Sequence, residues 1–506
     1  MEQHGGCPIR GTPRTAVRLA LPRPSLAPVL LLGWCAVLFL YGLGAGPLYR
    51  TESLRAIIGA ECLRGHWLYP VLHGEPFLTK PPGHYAAIGL ASLPTGRVTE
   101  VSARLPSAVA ATLAVLLMAG LFRRALGDRV GLLAGLLVPC SILWLDKAPS
   151  AEIDMTLVGW VTAALVAFHC WVEVEQRENA HPWQRVGLAQ LCLLCVAAGT
   201  LTKWTAPAFF ALTAVPLLAW RRQLRLLVSW PFLTATVVAV AAVVGWAALV
   251  TQQVGWDALA DTVRKEAAYR FAPKSAAKGY PWSEVVTYPL IVWAAHLPLS
   301  LFALRTLRRG FAARWDDRSR RLLVFLHCWA WPNLLFWAMV PNHNVRYALP
   351  VSPALMGLGV MGLLDWWRGP PPLAALQDVR CTAASGGTCI AAFLALWLAA
   401  KVTFVEVVVP RRTAGRDAEA TAAVLRELVP AGELLFLLKL KDEGVLFYYG
   451  RPTRKLSSPA NLPPHAHVVL VEAEWREWEA NRTGALVRWM YDQQGDPLIL
   501  ARVTTP

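Results

Sequence analysis

The sequence predicts an α-helical polytopic membrane protein that ends in a small α/β domain on the outer face of the membrane. One reason is composition, since 55% of the 506 residues are hydrophobic and only 16% are charged, unlike a soluble domain. Another is that apolar segments of about 15–28 residues recur along most of the chain, near the length of a membrane-spanning helix. We predict eleven spans, within a range of about 11–13, at 25–45, 105–122, 130–146, 155–172, 186–202, 205–220, 226–250, 284–304, 322–340, 347–365 and 382–408.

Basic residues follow alternate spans, as the positive-inside rule predicts for cytoplasmic loops. Arginines cluster after the second, fourth, sixth, eighth and tenth spans, and four more precede the first span. Retention of these cytoplasmic charges explains the net charge of +16, and the sequence carries no pattern typical of nucleic-acid binding. We therefore predict a cytoplasmic basic tail at 1–24, a transmembrane domain at 25–409 and a periplasmic domain at 410–506.

The same charge pattern requires that the short apolar run at 83–96 does not cross the membrane. If it crossed, the next arginine cluster would fall on the outer side and every later cluster would be inverted. We therefore predict a long first outer loop at 46–104, in which this run lies along the membrane surface.

The last hundred residues have the alternation of a small α/β domain. The spacing of apolar residues predicts helices over 416–428 and 475–491. Short β-rich runs predict strands over 434–440, 445–449, 468–471 and 498–503.

Candidate site residues lie in the predicted outer loops, near the ends of the spans. Glu52 directly follows the first span, at the start of a helical stretch. Its spacing to Arg55, repeated by Glu61 and Arg64, also fits surface ion pairs worth a few tenths of a kcal/mol. Lys80 stands in FLTKPPGHYA, where two prolines stiffen the backbone beside it. This lysine either contacts a phosphate or only anchors the loop to lipid headgroups.

The later outer loops add a second carboxylate and further cations. Asp154 precedes an apolar helix, so it is either catalytic or a favourable charge at the helix N-terminus. Lys203, Arg270 and Arg346 fall in other outer loops. Cations at a membrane interface suit a lipid-linked phosphate, and a carboxylate suits deprotonation of an acceptor hydroxyl or amine. Together these residues indicate transfer of a group from a lipid phosphate.

The first loop resembles that of the ArnT-like and protein mannosyltransferase-like glycosyltransferases, family 39 of the GT-C class. The resemblance rests on Gly65, Trp67 and Pro70, on Gly74, Pro76 and the run Lys80–Pro82, and on the run Arg104–Ser107. It implies a GT-C-like fold and transfer of a sugar from a polyprenyl-phosphate donor. It further implies Glu52 and Asp154 as the catalytic residues. The donor-binding residues that it implies are Lys80, Lys203, Arg270, His343, Arg346 and Tyr347.

The chain departs from the family pattern at three positions. Thr51 stands where the family has an aspartate, and Glu52 keeps the second carboxylate of that acidic pair. Thr79 and Ala267 stand where the ArnT branch has a glutamate and a histidine that bind a metal. Neither side chain is a strong metal ligand, so we expect a site without a metal cofactor.

We therefore predict a glycosyltransferase of the bacterial inner membrane that transfers a sugar to a lipid, glycan or protein acceptor on the outer face. Two alternatives remain open. A transporter or flippase for the lipid-linked sugar would need polar residues near the centres of its spans, and the predicted spans hold few. A catalytically inactive relative that acts as a binding subunit is kept open by Thr51.

Overall fold

A computed structural model describes residues 26–271, 280–342, 344–368, 383–414, 417–438, 443–456, 458, 461–481 and 484–503. In this part of the chain, seven helices are long and apolar enough to cross a membrane, and a bent pair makes an eighth. Two shorter apolar segments, Ala27–Leu40 and Ala206–Trp220, add to these. The predicted class, a helical polytopic membrane protein with a small C-terminal α/β domain, is confirmed.

The helices of the membrane part are joined by short loops and by the first outer loop. Their bounds, in chain order, are α1 Ala27–Cys35, α2 Thr51–Leu63, α3 Gly83–Ser92, α4 Glu100–Leu126, α5 Asp128–Leu137, α6 Ile142–Lys147, α7 Ile153–Glu175, α8 Pro182–Thr202, α9 Ala206–Trp220, α10 Trp230–Val254, α11 Trp256–Phe271, α12 Trp282–Ala294, α13 Leu299–Arg305, α14 Asp317–Met339, α15 Ser352–Arg368, α16 Ala383–Thr403 and α17 Val409–Thr413. A two-stranded hairpin, β1 Val71–Leu72 with β2 Glu75–Pro76, lies between α2 and α3.

Two of the predicted spans are broken in the structure. The stretch 130–146 forms α5 and α6 instead of one helix, because Pro139 cannot donate a backbone hydrogen bond and Ser141 caps α6 by accepting from the Trp144 N–H. The stretch 284–304 forms α12 and α13, which meet at a bend of 112°. The apolar pattern therefore located these segments but did not show their breaks.

Helix α7 lies at the centre of the membrane part and is the most enclosed of its long helices apart from the segment Val345–Trp367. It packs on α4, α8 and α9, and the buried Phe168 and Trp171 join the largest hydrophobic core cluster. Asp154 is in the first turn of this helix, so the core holds that carboxylate at the edge of the apolar region.

The short apolar run of the first loop forms α3, which packs against protein on its inner face. Tyr85 and Ile88 are buried, and Ile88 packs against Gly59 of α2. Gly83 approaches the end of α8 so closely that an added Cβ would lie 2.8 Å from the carbonyl oxygen of Leu201. The turn that carries Lys80 is therefore clamped to α8 by a position that admits only glycine.

A buried ion pair joins the first loop to α4. The Arg104 guanidinium donates to both oxygens of Glu52, with Nε–Oε1 3.0 Å and Nη2–Oε2 3.1 Å, and both side chains are buried. Its Nη1 also donates to the carbonyls of Leu43 and Ala45, each at 3.0 Å. The alternative in which Glu52 pairs with Arg55 is excluded, because Arg55 pairs with Glu152, whereas Glu61 and Arg64 do pair as predicted.

The C-terminal part holds a five-stranded mixed sheet with helices packed on it. Its elements are α18 Ala418–Leu428, β3 Leu435–Leu437, α19 Gly444–Tyr449, β4 Thr453–Lys455, β5 His467–Val471, α20 Glu472–Asn481, β6 Gly484–Tyr491 and β7 Pro497–Val503. The strand order is β4-β3-β5-β7-β6, with parallel pairs of β3 to β4 and β5 and antiparallel pairs of β7 to β5 and β6.

Two elements of this domain differ from the prediction. The run 445–449 is helix α19, because its apolar residues pack against α18 instead of joining the sheet. The second predicted helix ends at Asn481, and the rest of that stretch is β6, which pairs with β7 over seven positions. Tertiary pairing therefore overrides local helical spacing here.

We predict that Gly83→Ala lowers the thermal unfolding midpoint in detergent, because the new Cβ must push α3 away from α8. Overpacking of this kind costs about 1–3 kcal/mol. The control is Gly120→Ala in α4, where a Cβ meets nothing within 4 Å. Equal midpoints for the two variants would contradict the close packing of α3 on α8.

We predict that Glu52→Gln lowers the unfolding midpoint strongly, because it leaves the buried Arg104 without its carboxylate. Removing one partner of a buried ion pair costs about 3–5 kcal/mol. Glu61→Gln, in the exposed pair, is the matched control and should change the midpoint little. A Glu52→Gln protein as stable as the control would show that this pair does not hold the first loop.

Candidate active site

A cavity of about 660 Å³ opens where the first loop, the α6–α7 loop and the C-terminal end of the transmembrane part meet. Thr51, Glu52, Glu152 and Arg346 line it, together with Lys147. Buried carboxylates and basic side chains thus face the same space, and of the site residues selected from the sequence, Glu52 and Arg346 line it.

Glu52 lines this cavity, but both of its carboxylate oxygens accept hydrogen bonds from groups that hold neighbouring segments together. Besides the two bonds from Arg104, it accepts the backbone N–H of Ala151 at 2.8 Å and that of Tyr49 at 3.2 Å. The carboxylate therefore joins α2, α4 and the loop before α7. Its predicted catalytic role stays a prediction, and its contacts are those of a positioning group.

Glu152 was not selected from the sequence, yet its carboxylate contacts the Thr51 hydroxyl. The Thr51 hydroxyl donates to Glu152 Oε1 at 3.4 Å, and Arg55 Nη1 lies 2.8 Å from Glu152 Oε2. Arg346 Nη1 donates to the same carboxylate at 3.3 and 3.4 Å. The only sequence signal for Glu152 was a charged residue two positions before Asp154 at the start of an apolar helix.

Asp154 lies one step deeper and links this carboxylate to the cations. It is 1% exposed, forms an ion pair with Lys203 Nζ, and has Arg346 Nε at 3.7 Å from its Oδ2. Arg346 thus bridges Glu152 and Asp154. Burial, with Arg270 and Arg346 nearby, lowers the pKa of Lys203 to about 8 despite the attraction of Asp154.

Tyr347 gathers three of the predicted cations on its ring. Lys203 Nζ lies 4.5 Å from the ring centroid, and the guanidinium carbons of Arg270 and Arg346 lie at 5.2 and 5.8 Å. An aromatic face holds cations without neutralising them, so they can still bind an anion. Arg270 forms no ion pair with a carboxylate among the described residues.

Lys80 joins this group through α11. Its ammonium lies 2.6 Å from Glu266 Oε2 and 2.9 Å from the Thr79 carbonyl oxygen, and Arg270 is one turn further along the same helix. Burial lowers the pKa of Lys80, and Glu266 partly offsets this effect. The predicted residue His343 lies outside the described residues.

These contacts form one continuous ionic cluster, which carries more positive than negative charges. Its cations outnumber its carboxylates, which leaves a surplus of positive charge for a ligand. The members of this cluster are Glu152, Asp154 and Glu266 with Arg55, Lys80, Lys147, Lys203, Arg270 and Arg346, and Lys147 also pairs with Asp146.

The residues at the positions of the ArnT-branch metal ligands do not fit a divalent cation. Thr79 contributes its carbonyl oxygen to Lys80, and the ammonium of Lys80 occupies the space beside Glu266. Ala267 has no ligating atom. Among the described residues, no group of three or more His, Cys, Asp or Glu side chains is placed to hold a metal.

Comparison with known proteins supports the family resemblance. The family model described as dolichyl-phosphate-mannose-protein mannosyltransferase matches residues 79–247, which include Lys80, Asp154 and Lys203. A search of curated protein sequences gives no significant match.

Solved structures show the same fold. ArnT from Cupriavidus metallidurans bound to undecaprenyl phosphate is 18% identical, with a TM-score of 0.72 over 94% of this chain and 99% of that one. The oligosaccharyltransferase AglB from Archaeoglobus fulgidus, in complex with an inhibitory peptide and a dolichol-phosphate, is 11% identical, with a TM-score of 0.51 over 95% of this chain and 74% of that one.

The resemblance to the ArnT-like and protein mannosyltransferase-like GT-C glycosyltransferases is thereby confirmed, since this membrane protein shares the fold of ArnT and its residues 79–247 match the mannosyltransferase family model.

Proposed function

We propose that this protein transfers a sugar from a polyprenyl-phosphate donor to an acceptor at the membrane face that holds the ionic cluster. The observation that carries the proposal is the surplus of positive charge in that cluster, at the ends of membrane-spanning helices. A donor phosphodiester carries one negative charge, and the released phosphomonoester carries between one and two. The surplus therefore favours the charge that develops as the sugar leaves.

We assign donor binding to Lys80, Lys203, Arg270 and Arg346, which meet around Tyr347. Guanidinium and ammonium groups give charge-assisted hydrogen bonds to phosphate oxygens. Among these four residues, Arg270 is the most available to a phosphate, because its guanidinium forms no ion pair with a carboxylate in the described part of the chain. The binding of undecaprenyl phosphate to ArnT, which shares the fold, supports a lipid-linked donor.

The reaction is a displacement at the anomeric carbon of the sugar. An acceptor hydroxyl or amine forms a bond to this carbon, and the bond from the carbon to the phosphate oxygen breaks. The electron pair of that bond stays on the phosphate oxygen, where the cations hold it. The acceptor proton passes to a carboxylate of the cavity.

We propose that Glu152 accepts the proton of the acceptor group, and that Glu52 and Asp154 are positioning residues. Glu152 lines the cavity and is held by the side chains of Arg55 and Arg346. Glu52 is held by α4 and by backbone N–H groups instead, and Asp154 is tied to Lys203. Because Glu152 contacts Thr51, it supplies a carboxylate beside the position where the family has an aspartate.

We propose that the N-terminus lies in the cytoplasm of a bacterial cell and the site on the outer face, because basic clusters follow alternate predicted spans. The acceptor is a lipid, a glycan or a protein exposed there. Because the residues do not fit a metal, we propose a reaction that needs no divalent cation.

We predict that the protein in nanodiscs releases polyprenyl phosphate from one member of a panel of radiolabelled polyprenyl-phosphate sugars when a membrane extract supplies the acceptor. Glu152→Gln should lower this turnover at least about 100-fold, the contribution of one acid–base group. Because the substitution also removes the carboxylate partner of the buried Arg55, turnover is measured well below the unfolding midpoint of the variant. EDTA should leave the turnover unchanged.

Glu61→Gln is the control, because its carboxylate belongs to a surface ion pair outside the cavity. Full turnover by Glu152→Gln would show that Glu152 does not accept the proton of the acceptor group. Donor binding without release for every sugar would instead favour a transporter or an inactive binding subunit.

We predict that donor binding weakens as the pH rises through 8. The pKa of Lys203 is about 8 in the folded protein, below its ordinary 10.5, so its ammonium charge is present at pH 7 and is lost above pH 8. Lys203→Arg should keep donor affinity flat to pH 9.5, because a guanidinium stays charged.

Donor affinity is measured by equilibrium binding between pH 6.5 and 9.5. The control is Lys265→Arg, an exposed lysine on the same face of the membrane. An alkaline loss of affinity that survives in Lys203→Arg would show that another group is responsible.

A further inference from the structure

A second cavity of about 660 Å³ lies at the opposite ends of the helices that carry the active site. Helix α4 has Arg104 near its start and Arg124, which lines the second cavity, near its end. Helix α7 runs in the same way from Asp154 to Glu173. Twenty helical residues rise by about 30 Å, which is the thickness of the hydrocarbon core. The two cavities therefore face opposite sides of the membrane.

Three arginines line the second cavity and form no ion-pair contact with a carboxylate in the described part of the chain. Arg124 donates only to the Cys170 sulfur at 2.9 Å, and Arg318 donates to the Arg124 carbonyl oxygen at 3.2 Å. Arg177 lies at the rim and has an exposed side chain. Their charges are thus available to a ligand.

The one acidic residue in the lining does not cancel these charges. Glu173 forms ion pairs with Arg221 at 2.7 Å and with Arg321 at 2.8 Å, neither of which lines the cavity. The lining therefore keeps a net positive charge. Arginines of this kind bind phosphate oxygens through two parallel hydrogen bonds.

A buried histidine adds an unused polar group. His169 lines the cavity, is only 8% exposed, and stacks on Phe325 with ring centroids 4.6 Å apart. Its Nδ1 has no hydrogen-bond partner among the described residues.

The remaining wall is apolar and reaches the lipid-facing surface. Leu121 and Leu188 line the cavity, and so do Leu191 and Trp183 of α8, whose exposed fractions are 53% and 77%. Tryptophan at a helix end is typical of the membrane interface. A ligand in this cavity would meet arginines at one end and acyl chains at the other.

We propose that the second cavity binds the headgroup phosphate of an anionic phospholipid, with the acyl chains along α8. The basic lining at a membrane face suits the phosphate, and the apolar wall beside it distinguishes a lipid from a free phosphate. Arg124, Arg177 and Arg318 bind the phosphate oxygens. This site is independent of the proposed transferase activity, and its binding can be measured without any sugar donor.

The test measures binding of phosphatidylglycerol to the purified full-length protein in a neutral detergent by native mass spectrometry. The variant is Arg124→Gln with Arg177→Gln and Arg318→Gln, and the control is Arg123→Gln with Arg129→Gln and Arg225→Gln. The control arginines are exposed near the same ends of the helices and do not line the cavity. A charge near the membrane surface contributes about fivefold to the affinity, so the variant should bind at least about 50-fold more weakly and the control less than about threefold.

The single variant Arg177→Gln keeps the test valid if the triple variant does not fold, since this exposed side chain has no described contact to lose. It should bind about fivefold more weakly. Equal losses in variant and control would overturn the proposal in favour of diffuse surface charge. Equal competition by glycerol phosphate, which has the headgroup without acyl chains, would overturn it in favour of a free-phosphate site. Binding of phosphatidylcholine as tight as that of phosphatidylglycerol would also overturn it.

Discussion

The Arg104 guanidinium is the group on which the geometry of the candidate active site depends. It is buried in α4, and it holds both oxygens of Glu52 and backbone carbonyls of the segment before α2. Glu52 in turn accepts the backbone N–H of Ala151, one residue before Glu152. One charged side chain therefore sets the first outer loop and the start of α7 relative to each other, which places Thr51 beside Glu152.

Burying a charged side chain costs free energy unless the charge is paired, and the carboxylates of this site are paired with cations. Arg55, Arg346 and Lys203 alternate with Glu152 and Asp154, so each carboxylate contacts at least two cations. The pairing lowers the desolvation cost but leaves a positive surplus near Arg270 and Tyr347. A phosphate would neutralise this surplus of positive charge. The cluster is therefore preorganised to bind an anion.

The transmembrane helices connect this site to a second positively charged cavity at the other face. The same three helices, α4, α7 and α8, contribute residues to both ends. The buried Phe168 and Trp171 of α7 join the largest apolar core cluster beside the second cavity, whose lining includes His169 and Cys170.

The sequence by itself determined the class of fold and most of the residues that form the site. Apolar runs of membrane-spanning length are a local property, and so are the rigid turn at Lys80 and the carboxylate at the start of α7. These features were therefore readable without a structure. Domain boundaries and catalytic roles remain predictions, because neither the fold nor the comparisons test them.

Only the tertiary structure decided which charges pair. Glu52 pairs with Arg104 and Arg55 with Glu152, partners about 50 and 100 positions away, and helical spacing carries no information about such contacts. The same limit explains the helix at 445–449 and the strand at 484–491, whose states depend on packing against α18 and pairing with β7. Local pattern sets what a segment can form, and contacts distant in sequence decide what it does form.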